Sequence, residues 1–256
     1  MSRYRMTLEY DGGGFVGWQR QAPGLVTVQG VMESALARLC KHPVLLVGAG
    51  RTDTGVHALG QVAHFDTSLP RSPEVFLRAL NVMTPPEVAI LQVERVESRF
   101  NARRAAWREY LYRILTRRPS SALDRGRVWH HPGPLHLDAM IEAARSLLGT
   151  QDFSAFRSAN CQALTPVRVV SRAEIARVGD EIHFLIRANA FLYHMVRNIM
   201  GSLVLTGRDK WTPAHFREVL ASRDRTLAGP MAPAHGLYLL RVHYGEPGTR
   251  CSPVDS

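Results

Sequence analysis

Chemistry concentrates in one short segment, Gly48-Ala49-Gly50-Arg51-Thr52-Asp53-Thr54-Gly55-Val56-His57-Ala58, which directly follows an apolar stretch. Three glycines within eight residues allow sharp turns, and a carboxylate, a guanidinium, hydroxyls and an imidazole lie between them. A glycine-rich loop of this kind suggests a phosphate cradle. It lacks the Gly-Lys-Ser/Thr ending whose lysine reaches the outer phosphates, which argues against nucleotide binding. A lone Asp-x-Gly usually marks a turn capped by its own aspartate. With Arg51 two positions away that plainer reading weakens, and Asp53 stands as the candidate reacting group.

Three further segments carry groups worth weighing. Asp11-Gly12-Gly13-Gly14-Phe15-Val16-Gly17-Trp18-Gln19 ends the first strand as a flexible loop that presents an aromatic. In the stretch 107–116, a period of two puts Arg108, Tyr110, Tyr112 and Ile114 on one face. A tyrosine there can stack on a base, although a core or cross-strand role is the commoner fate, above all for Tyr112. Along 190–205, Leu192, Val196, Ile199 and Leu203 share one helical side while His194, Arg197 and Gly201 lie roughly opposite. Arg197 on such a helix often does no more than solvate its face, but Asn189, His194 and Asn198 beside it favour a functional one. His130, His131 and His136 sit in a loop broken by proline and glycine, with no nearby cysteine or paired acid, so no metal site is expected there.

These segments need elements to hold them. Residues 4–10 alternate as a strand, and Val28, Val31, Ala35, Leu36 and Leu39 recur at helical spacing up to Cys40. Short strands are expected at 44–47 and 61–65. Ser72-Pro73-Glu74 supplies an N-cap, a first-turn proline and an acid ahead of a second helix. A β-branched strand at 88–96 closes a first half, with a boundary near residue 104. The second half repeats the order: a strand over 107–116, a helix over 138–148 stopped by Gly149, a hairpin of 167–177 with 182–188, the helix 190–205, a helix from Thr212-Pro213 to about Leu220, and a final strand over 236–244. Each half reads β-α-β-β-α-β, the ferredoxin-like pattern. The expectation is an α+β fold with two such halves, 1–104 and 105–246, followed by a tail, 247–256. It has a mostly antiparallel sheet, helices on one face and the other face free for a ligand.

Composition sets the partner class. At 256 residues, with 45% hydrophobic and 21% charged, the chain can bury a substantial core, and no apolar run reaches membrane length. The opening MSRYRMTLEY enters strand alternation instead of a signal-peptide apolar region, so a soluble, untargeted protein is expected. Three dispersed cysteines fit a reducing cytoplasm. A net charge of +10, with only Lys41 and Lys210 as lysines among 32 cations, makes a polyanion such as nucleic acid the expected partner. At this level a non-catalytic RNA-binding protein or RNA chaperone remains open beside an enzyme, although the aromatic signature of the common RNA-recognition module is absent.

Taken together, the segments resemble the TruA-type tRNA pseudouridine synthases over nearly the whole chain. The match is carried by GRTDTGVHALGQVAHF at 50–65, YDGGGFVGWQ at 10–19, REYLYRI at 108–114, ANAFLYHMVRNIMG at 188–201 and GLYL at 236–239, in that family's order. The resemblance implies isomerisation of uridine to pseudouridine in the tRNA anticodon stem-loop, at positions 38, 39 and 40. It also implies base flipping into a central cleft, no cofactor or metal, and a homodimer. It makes Asp53 the essential aspartate, Arg197 its pairing arginine, Arg51 the loop arginine and Tyr110 the tyrosine that stacks on the substrate base. A carboxylate suits glycosidic cleavage, because it can attack or stabilise an electron-poor sugar carbon. It must be ionised to do so, and Arg197 beside it would lower its pKa. Thr54 and Tyr193 depart from the residues common in that family and bear on which uridines are accepted.

Overall fold

In the computed structural model, which describes residues 1–22 and 24–245, the opening alternation becomes strand β1 (Ser2–Tyr10). Tyr4, Met6, Leu8 and Tyr10 are buried, and Arg3, Arg5, Thr7 and Glu9 turn to the other face. The expected tail, 247–256, lies outside the described residues. Helix α1 (Val28–Cys40) begins where the Thr27 hydroxyl accepts the Gly30 N–H at 3.2 Å and ends at Lys41 in the left-handed region. Strands β2 (Val47–Gly48) and β3 (His57–Thr67), helix α2 (Pro73–Met83) with its Ser72 cap, and strand β4 (Val88–Val96) follow. The rest of the chain supplies β5 (Trp107–Leu115), β6 (Trp129–His130), α3 (Leu137–Arg145), β7 (Gly149–Asp152), β8 (Val167–Val178), β9 (Glu181–Ala188), α4 (Met195–Gly207), α5 (Pro213–Ser222) and β10 (Leu237–His243). The fold is α+β with ten strands, mostly antiparallel, and five helices among the described residues; no helix there is long and apolar enough to cross a membrane.

Two compact units emerge among the described residues: Met1–Trp107 with Leu239–Gly245, and Arg108–Tyr238. In the first, strands run in the order β4-β1-β3, with β2 and the end of β10 also on β3. The buried face of β1 and β3 meets α1 and α2, where the Tyr4 ring lies 5.3 Å from Phe65 and 4.7 Å from Phe76, among Met32, Leu36 and Leu80. The opposite face, expected to be free, is partly covered. Ala49, Val62 and Ala102 pack there with Phe100, Val242 and Tyr244, and Arg3 donates to the Phe100 carbonyl (2.7 Å) while pairing with Asp66. Strand β3 is therefore buried on both faces, so its sequence does not alternate and its full length was not legible. The strand expected at 44–47 is largely absent, since Gln29 and Glu33 of α1 satisfy the Leu46 backbone, each at 3.0 Å, in place of a ladder.

The second unit orders its strands β5-β9-β8-β7, with β6 parallel on β5. The register pairs Tyr110 with Ile186, Tyr112 with Phe184 and Ile114 with Ile182, which puts these side chains on one buried face. Tyr112 takes the core role: it is fully buried and its hydroxyl donates to the Pro233 carbonyl at 2.7 Å. Strands β6 and β7 carry no apolar alternation and were not anticipated. Gly149 opens β7 instead of stopping a helix, because α3 ends earlier in a tightened turn over Ser146–Leu148.

Candidate active site

Asp53 sits at the start of a turn whose geometry is set from below. Its carbonyl accepts the Val56 N–H (3.1 Å), and Gly55 supplies a φ of +78°. The preceding Thr52 is buried: its hydroxyl meets the Tyr10 hydroxyl at 2.8 Å and its carbonyl accepts the Trp18 N–H at 3.0 Å. Burial raises the Tyr10 pKa, so this hydroxyl stays protonated and available to the pair. Fully buried Gln61 donates to the Gly50 carbonyl at 2.9 Å. With Thr52 fixed inward, Arg51 on one side is exposed and Asp53 on the other is half-buried. The two chemical groups of the loop are thus presented by a residue that is not itself chemical.

The loop after β1 forms the floor of this turn. Gly12 donates its N–H to His57 Nδ1 at 3.0 Å, and its Cα lies so near the Val56 carbonyl that a Cβ there would stand 2.1 Å from the oxygen. Gly17, at φ +79°, presses on the Thr52 carbonyl in the same way. The sequence singled out Asp53 and Arg51 but passed over Tyr10, Thr52, Gln61 and His57. Tyr10, His57 and Gln61 are buried polar residues within strands, which need partners to be tolerated, whereas Thr52 sits in the loop itself. Thr52→Val keeps shape and removes the hydroxyl. It should destabilise the protein by about 1–2 kcal/mol in urea unfolding, with Tyr10→Phe costing a similar amount and the double variant less than their sum.

The second unit holds the other two candidates. Tyr110 is 8% exposed and its ring meets Phe191 edge to face, centroids 4.9 Å apart. Arg197 lies in the first turn of α4, 9% exposed, with Nε donating to the Ala232 carbonyl at 2.8 Å, which fixes the plane of its guanidinium. A cation in the first turn opposes the helix dipole, so both Arg197 and the helix end favour an anion at this place.

The expected helix over 190–205 begins later, because His194 adopts a left-handed conformation (φ 61°) ahead of Met195. Nor does α4 show a polar face: it is buried nearly all round, and the side carrying Gly201 is closed by the chain at Pro230–Ala232. Asn189 and Asn198 serve the fold. The Asn189 side chain accepts the N–H groups of Val169 and Ala190, and Asn198 donates to the Phe156 carbonyl at 2.9 Å. His130 and His136 are engaged locally, with the Arg117 carbonyl and with Asp209. The structure thus brings Arg51 and Asp53 together in one loop of the first unit, and it sets Tyr110 and Arg197 on β5 and α4 of the second.

A family model described as tRNA pseudouridine synthase matches residues 6–103 and 143–245. The chain is 48% identical to tRNA pseudouridine synthase A of Paramagnetospirillum magneticum, over 99% of this chain and 100% of that one. It is 47% identical to the Rhodospirillum rubrum protein of the same name (99% and 91%) and 49% identical to that of Methylobacterium sp. strain 4-46 (97% and 100%). A solved chain from a Cbf5-Nop10-Gar1 complex aligns with 92% of this chain and about half (48%) of its own length, at 12% identity and a TM-score of 0.39, too distant to add to these matches.

Proposed function

This chain belongs to the tRNA pseudouridine synthase family, and from that premise we propose that it isomerises uridine to pseudouridine in the tRNA anticodon stem-loop, at positions 38, 39 and 40, with Asp53 as its essential carboxylate. The observation that carries the reading is the rigid presentation of Asp53 beside Arg51, on a turn held by buried Thr52 and two closely packed glycines. The reaction breaks the bond from ribose C1′ to N1 and forms one from C1′ to C5, while C5 loses a proton and N1 gains one. Substrate and product are isomers, so the balance closes without an added group or electron. A carboxylate is suited to the C1′ step, either as nucleophile or as counter-charge to an electron-poor sugar carbon.

The other three residues divide the remaining work. Arg197, its guanidinium anchored on the Ala232 carbonyl, is on this reading the arginine assigned to the reacting carboxylate. The target base must leave its stack, at a cost of about a few kcal/mol. Exposed Arg51 takes the vacated place or holds a phosphate, and Tyr110 stacks on the extruded uracil, a contact worth about 1–3 kcal/mol. The working unit on this reading is a cytoplasmic homodimer.

The test is an incubation of the purified protein with an unmodified tRNA transcript, with carbodiimide labelling and primer extension to locate pseudouridine. Stops confined to positions 38–40 are expected. Tight, salt-sensitive binding without any stop would overturn the reaction in favour of plain RNA binding.

A further inference from the structure

Tyr193 is 45% exposed, yet both its backbone and its ring are anchored. Its N–H donates to Cys161 Sγ at 3.4 Å and its carbonyl accepts the Ser158 N–H at 3.2 Å. Its ring lies on the His194 imidazole, with centroids 3.7 Å apart and planes 28° apart. His194 holds the left-handed backbone that brings the two rings together, a conformation side chains rarely adopt, and Ser158 Oγ braces it at 3.1 Å from Nδ1. The result is an aromatic plate anchored at its backbone, with one face against the imidazole and nearly half of the residue exposed.

Next to the plate are two arginines held largely by backbone carbonyls. Arg157 donates to the carbonyls of Cys161 (2.7 Å) and Ala163 (2.9 Å), so Cys161 joins it to Tyr193. Arg168 donates to the carbonyls of Thr165 (2.8 Å) and Val167 (2.6 Å). Neither arginine forms an ion pair with a carboxylate among the described residues. Arg168 is only 8% exposed, its Nε is buried without a hydrogen-bond partner, and its charge feels both Arg157 and Cys161. Two guanidinium groups brought together on carbonyls and one thiol repel each other, and an anion between them relieves both the repulsion and the unmet donor. The arrangement of a fixed aromatic face beside two forked cations matches a nucleotide, whose base stacks and whose phosphate accepts from arginine.

We propose that Tyr193, Arg157 and Arg168 form a nucleotide subsite outside the four reacting residues, in which a base of the bound tRNA stacks on Tyr193 and its phosphate lies against the two arginines. The proposal rests on tRNA being the substrate. Its test is a filter-binding series with an unmodified tRNA transcript across salt concentrations, with pseudouridine formation and thermal melting followed on the same preparations. Tyr193→Ala should weaken binding by about 5- to 150-fold, the range for one stacked base, while Tyr193→Phe binds as wild type does. Arg157→Gln should lower the slope of log Kd against log salt by about one. Arg157→Lys, which keeps the charge and loses the fork, should keep the slope.

Folded Tyr193→Ala and Arg157→Gln proteins with wild-type affinity and slope would overturn the subsite, even where wild-type protein modifies the tRNA. Wild-type protein that binds tRNA yet forms no pseudouridine would overturn the proposed reaction instead, and the binding series would still decide the subsite. Wild-type protein that does not bind tRNA overturns both.

Discussion

Asp53→Asn should form no measurable pseudouridine, with the rate under single-turnover conditions down by at least about 10^4-fold, as when a nucleophile or the carboxylate that orients it is removed from other enzymes. The substitution changes charge and leaves shape nearly untouched. The turn depends on the Asp53 carbonyl, the Thr52 hydroxyl and the glycines around it, none of which the side chain supplies. The variant should therefore still fold, and its tRNA affinity should stay near wild type, since the phosphate contacts that dominate RNA binding come from the cations. That combination of silent chemistry with intact folding and binding separates a reacting group from a structural one. Asp53→Glu makes a second arm: it keeps the charge and moves the carboxylate by one methylene, and a misplacement of about 1 Å costs on the order of 100-fold. Measurable pseudouridine formation by Asp53→Asn at more than a thousandth of the wild-type rate would remove Asp53 from the reaction.

The sequence reading succeeded where one residue type has one local consequence. Ser72 and Thr212 cap helices as their types require, Pro73 opens α2, and the alternation over 4–10 does mark a strand. It failed where the deciding partner lies far along the chain. The Leu46 backbone is satisfied by side chains of α1, so a β-branched stretch that looks like a strand is mostly not one. Phe100, Val242 and Tyr244 cover a sheet face that local patterning leaves open. The polar side expected of α4 rested on His194, Arg197 and Gly201; His194 stands outside the helix as its cap, and the side at Gly201 is closed by the chain at Pro230, whose oxygen would lie 1.7 Å from a Cβ on Gly201. For the site, Asp53 and Arg51 stood out by their setting among glycines, whereas Tyr10 and Gln61, which brace their loop, lie in strands, where polar groups read as exceptions to a pattern, and Thr52 reads as one more loop hydroxyl.

Those glycines separate into two classes that no pattern in Asp11-Gly12-Gly13-Gly14 distinguishes. A Cβ on Gly14 meets nothing within 4 Å, so Gly14→Ala should fold and react as wild type does. A Cβ on Gly12 would stand 2.1 Å from the Val56 carbonyl oxygen and 2.6 Å from its carbon, both backbone atoms that no side-chain rotation can move aside. Gly12→Ala must therefore push the first loop away from the turn that ends at Val56, breaking the Gly12 N–H bond to His57 and shifting Asp53 within the same four-residue turn. Overpacking of this kind costs about 1–3 kcal/mol, and the lost hydrogen bond to a buried imidazole adds about 1 kcal/mol. The loss of pseudouridine formation should exceed what stability accounts for, at about 100-fold or more in single-turnover rate at a temperature where the variant is fully folded. Urea unfolding and single-turnover assays on Gly12→Ala and Gly14→Ala side by side read both effects. Equal rates in the two variants would mean that the contact between Gly12 and Val56 supports the fold without positioning the carboxylate.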